Sequence, residues 1–165
     1  MPDRPSDLWK AMSLDQRVQA ADAFWRDSES PDIRAQHLEA AAALARRLKF
    51  RPQSIQHLPI ERRARQLAQV LDISESVATR ALIAYHFSAQ RPLMGAFLDT
   101  LGIAHEDGLI TAEDVPPPDA SAIGAAAGSV KTAFPPQDVD LYLRTLAALD
   151  GDTWANIDAA LAASA

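Results

Sequence analysis

The chain has 165 residues, a net charge of −6, 48% hydrophobic and 6% aromatic residues, and no cysteine. That hydrophobic fraction is too high for a disordered chain, and the length suffices for one domain with a real core. The missing cysteines exclude disulfides, thiol catalysis and cysteine-ligated zinc.

The start lacks a signal-type apolar core, and no run of about 18 apolar residues occurs. The expectation is a cytoplasmic chain that does not span a membrane. Charge is unevenly spread. Residues 46–91 hold nine cations against three anions, a local +6, which leaves −12 for the rest. A basic middle between acidic ends reads as an anion-binding face or as a middle neutralised by ends packed on it, and the second reading is preferred.

In chain order, Ser6 can cap a short turn through Trp9 and Met12. Ser13 and Gln16 have the form of a capping box. The helix they open carries Leu14, Val18, Ala21 and Trp25 on one face. Trp9 and Trp25 read as core anchors. Ser30-Pro31-Asp32 is a strong helix start. It leads to rows through Ile33, His37, Ala40 and Leu44 and through Leu38, Ala41, Ala45 and Leu48. Arg46, Arg47 and Lys49 suit the negative end of that helix.

A turn is expected over 53–58. Pro59 then restarts the chain, with Ile60, Ala64, Leu67 and Leu71 on one face. Asp72-Ile73-Ser74 breaks the pattern, and Ser74 can cap the next helix. From Val77 to Phe87 that helix is apolar nearly all round, the mark of a central, buried element. Pro92 opens a helix with Leu93, Phe97 and Leu101 inward and Gly102 as its C-cap. The stretch 103–110 reads as a plain acidic loop. A calcium loop centred on Gly108 is rejected, because its first ligand position is Ile103. Residues 111–114 can form one turn.

Residues 1–115 are read as a helical core domain and 116–118 as a stiff proline linker. Residues 119–165 are read as a C-terminal helical segment docked on the core or on a partner. Its helices are expected over 120–134, where Gly124 and Gly128 weaken the first, over 138–149 through Val139, Tyr142 and Leu143, and around Trp154, Ile157 and Leu161. The fold class is all-α, an irregular bundle of about seven to nine helices. The hairpin 59–87 is expected at its centre, packed by Trp25, Leu44 and Phe97.

Residues 67–82 resemble the bacterial helix-turn-helix. Ala68, Leu71, Ile73, Ser74, Arg80, Ala81 and Leu82 fall where that family usually has such residues. The resemblance implies that Ser74, Glu75, Ser76, Thr79 and Arg80 face the major groove. The chain departs from the pattern at Asp72, where the turn glycine would stand, and at Ala78. The whole text is also similar to bacterial all-helical chains, a likeness that carries no functional residue.

The four histidines, His37, His57, His86 and His105, show no metal-helix spacing, and the common catalytic motifs are absent. His86, His105 and Glu106 form a candidate polar cluster if the fold brings them together. No catalytic residue, metal ligand or cofactor is assigned. The first reading is a non-enzymatic helical binding or interaction protein, with a protein partner or a second copy of itself. The alternative is a helix-turn-helix DNA-binding regulator using residues 64–87. Nucleic acid is the less favoured partner, and no membrane is expected.

Overall fold

The computed structural model describes residues 3–28 and 32–164. The fold is all-α: ten helices and one two-stranded ribbon occur among the described residues. The count passes the expected seven to nine because two short segments read as turns form helices of their own. None of these helices is long and apolar enough to cross a membrane. The chain gathers into two compact units, residues 5–89, and residues 3–4 with those from 90 onward.

The N-terminal unit holds α1 (Pro5–Ala11), α2 (Leu14–Arg26), α3 (Ile33–Leu48), α4 (Pro52–Gln56), α5 (Ile60–Ala68) and α6 (Glu75–Ala89). The capping box forms as expected: Gln16 N donates to Ser13 Oγ at 3.1 Å and Ser13 N to Gln16 Oε1 at 2.9 Å. The buried stripe of α2 is Ala20, Ala21, Phe24 and Trp25, so Leu14, expected inward, is left exposed. The small alanines let α2 lie closely against both α5 and α6. Ser30 and Pro31 lie outside the described residues. Asp32, next in line, makes no side-chain cap. Helix α3 ends on Lys49 in the left-handed region, φ 57°. Ile55 makes α4 more than a turn, since its side chain is fully buried and α4 packs on α3. Burying large side chains such as Trp9, Phe24, Leu44 and Leu82 contributes about 1.5–3 kcal/mol each.

The C-terminal unit holds α7 (Arg91–Thr100), β1 (His105–Glu106), β2 (Leu109–Ile110), α8 (Ala120–Val130), α9 (Pro136–Leu149) and α10 (Ile157–Ala163). Gly102, φ 69°, caps α7: its N–H reaches Asp99 O, and Ile103 N reaches Leu98 O, both at 3.0 Å. Residues 103–110, read as a plain loop, make a hairpin instead. His105 pairs with Ile110, and Asp107 and Gly108 turn the chain with φ 52° and 91°. Two successive positive φ values are the demand of a tight hairpin turn, which Asp-Gly meets cheaply. Phe97, expected to pack the 59–87 hairpin, has its ring partners in this second unit, Tyr142 at 5.7 Å and Trp154 at 6.0 Å. Helix α8 packs on α7 and α10, and Asn156 Nδ2 donates to Pro118 O at 2.9 Å. Arg144 pairs with Asp3 at 2.8 Å.

Candidate functional site

The residues of the helix-turn-helix resemblance cluster at the start of α6. Ser74 stands just before the helix, and its Oγ accepts from Val77 N at 3.3 Å, the cap its position suggests. Glu75, Ser76 and Arg80 have partners within the unit. The Glu75 carboxylate accepts from Ser6 N at 3.2 Å and also from the Ser6 hydroxyl at the start of α1. Ser76 Oγ donates to Glu39 Oε2 at 2.8 Å. Arg80 lies 4.0 Å from Asp32 and is half-buried, as is Thr79.

The link from α5 to α6 is residues 69–74, longer than the three or four residues of a helix-turn-helix. Asp72 does not take a positive φ. Trp9 Nε1 donates to Val70 O at 2.8 Å and Arg17 Nε to Ala68 O at 2.7 Å, so α1 holds this link and α2 the end of α5 before it. The helix itself is less enclosed than its composition suggests. Val77, Ala78, Ala81, Leu82, Ala84, Tyr85 and His86 are buried, whereas Ile83 and Phe87 keep an open side.

The polar cluster is divided between the units. His86 belongs to the first, His105 and Glu106 to the second. His86 is 3% exposed, its ring edge-on to Tyr85, and burial lowers its imidazole to about 4. It is therefore neutral at pH 7. His105 Nδ1 accepts from Gly108 N at 3.1 Å, which places the proton on Nε2, 2.7 Å from Asp99 Oδ1. Gly95 makes room for that ring: a Cβ there would stand 3.2 Å from His105 Cε1. His105 thus ties the hairpin to α7. Glu106 is exposed on β1. No group of three His, Asp or Glu suited to a metal ion occurs among the described residues.

An open apolar feature of the N-terminal unit lies elsewhere. A groove of about 850 Å³ runs between α2, α5 and the second half of α6. Val18, Ala64, Ile83 and Phe87 make its floor, and Asp22, Arg26, Glu61 and Arg65 its rim. Compared with protein-family models, curated proteins and solved structures, the chain matches none. The groove is therefore judged on its own chemistry. Arg26 is spoken for: Asp22 bonds it at 2.8 Å and Glu61 at 3.1 Å, and chiefly Asp22 holds its guanidinium above the ordinary value. Arg65 has no acidic partner among the described residues.

Sequence reasoning missed this groove because it assigned Ile83 and Phe87 to a fully buried helix. The signal was present in the same residues. A helix apolar nearly all round has more apolar surface than its own small unit covers.

Proposed function

We propose that the protein is a non-enzymatic helical binding protein whose α2–α5–α6 groove receives an amphipathic helix of a protein partner. The observation that carries this reading is the groove itself, an apolar floor edged by charged side chains. Its volume would suit a small molecule. Sites for small molecules, however, bury about 70–90% of the ligand surface, and this groove is open rather than enclosed. An elongated helix suits an open groove better, with apolar residues at i, i+3, i+4 and i+7 on the floor and polar ones at the rim. Arg65, which has no acidic partner among the described residues, favours an acidic residue on that helix.

The DNA-binding alternative is not preferred, because Glu75, Ser76 and Arg80 have partners inside the unit and Glu75 adds a negative charge where phosphates would lie. Selection of helical peptides from a random display library tests the proposal. Selected peptides should share one apolar face with an acid beside it, and should lose at least about tenfold in affinity on Ile83→Glu or Arg65→Glu. Peptides indifferent to both changes would refute the groove as the site. A concentration-dependent dimer abolished by Ile83→Glu would assign the groove to a second copy of the chain. Salt-sensitive binding of random duplex DNA, weakened by Arg80→Ala, would bring back the regulator reading.

A further inference from the structure

A second cleft of the N-terminal unit, about 470 Å³, has a different character. It lies where the end of α2, the start of α3, α4 and α5 meet, and it is lined by Trp25, Arg34, His37, Leu38, Gln56 and Arg63. Two of the six are guanidinium groups, and none is acidic. Neither Arg34 nor Arg63 has a carboxylate partner among the described residues.

The cleft is rich in donors that lack acceptors. The Arg63 guanidinium lies over the Trp25 indole, 5.1 Å from its centroid. His37 flanks the same indole at 5.3 Å. Trp25 is 5% exposed, yet its Nε1–H meets no acceptor among the described residues, and neither does the buried Nε–H of Arg63. Burial lowers the Arg63 pKa from its ordinary value, with no acidic neighbour among the described residues to offset it. His37 Nε2 is 2.6 Å from Phe24 O, so it is a donor already used. A buried N–H without an acceptor is destabilising, and two like charges sharing a cleft add to that cost. One occupant answers both problems, an oxygen-rich anion.

We propose that this cleft binds the phosphoryl group of a small phosphate monoester. Two guanidinium charges match a dianion better than a monoanion, and their planar forks suit phosphate oxygens. An anion entering the cleft meets Arg34 and the terminal nitrogens of Arg63 first. Pairing shifts the Arg63 cation against the indole face, and so changes the surroundings of the Trp25 N–H. Leu38, 51% exposed, gives the organic part of the ester an apolar contact. The cleft is large enough for more than a bare phosphate ion.

The test is a titration of the full-length protein at low salt with phenyl phosphate, inorganic phosphate and acetate. The readout is the Trp25 indole N–H signal in a ¹H–¹⁵N correlation spectrum, assigned with Trp25→Phe. The expected result is a saturable shift with phenyl phosphate and a weaker response to inorganic phosphate. Arg34→Gln and Arg63→Gln should each weaken binding about tenfold or more, the loss of one charge-assisted hydrogen-bonding group. Arg34 is exposed, so its substitution tests the site even if Arg63→Gln unfolds the unit. No Trp25 shift at millimolar phenyl phosphate would overturn the proposal, as would a shift that survives Arg34→Gln. Equal affinity for inorganic phosphate would overturn the ester, and an equal response to acetate would overturn the dianion.

Discussion

Burial of His86 makes one residue a source of pH sensitivity. Its imidazole lies at about 4 in the folded chain, against 6.5 when unfolded. Below pH 6.5 the unfolded chain takes up a proton that the folded chain refuses, so stability falls as pH falls from 6.5 to 4 and levels off below that. A shift of this size corresponds to about 3 kcal/mol. Wild type should therefore lose about 3 kcal/mol more than His86→Leu between pH 7 and pH 4, read from urea unfolding at each pH. Parallel losses in the two proteins would show that His86 titrates normally. His105, by contrast, is held half-buried by Asp99 and Gly108, and its work is to fix a turn.

At the scale of elements, the link between α5 and α6 decides what α6 can do. That link is irregular backbone, and an indole N–H from α1 bonds one of its carbonyls, Val70 O. Trp9→Phe keeps most of the ring but deletes the bond. The expected cost is about 1–2 kcal/mol, with faster amide exchange at residues 70–74 and little change in α2. Unchanged exchange there would mean that Ile73 and Ala68, both buried, suffice to hold the link. The same segment shows how much was legible in the sequence. Ser13, Ser74 and Gly102 announced their caps because capping is local chemistry. The length of the link was hidden, since Leu71 continues a good apolar spacing although the helix stops at Ala68 and Leu71 is exposed. Asp107-Gly108 was a turn signal passed over, for the strands on either side have only two residues each. The phosphate cleft was not legible at all. Its residues come from four helices, and only packing brings Trp25 to Arg63 and leaves both N–H groups unanswered.

At the scale of the whole molecule, the chain gathers into two compact units. The first is built on Trp9, Phe24, Leu44, Leu67 and Leu82, the second on Phe97, Ile123, Tyr142, Leu143 and Trp154. The residues that line the groove and the cleft all belong to the N-terminal unit. A chain of 85 or so residues buries enough surface to fold alone. A fragment of residues 5–89 should therefore keep helical circular dichroism and unfold cooperatively in urea, with an m-value reduced in proportion to its smaller buried surface. It should also retain the Trp25 response to phenyl phosphate, since all six residues lining that cleft lie within it. A fragment with no cooperative transition would show that the first unit needs the rest of the chain to fold. A fragment that folds but loses the Trp25 response seen in the full-length protein would show that residues beyond 89 take part in binding.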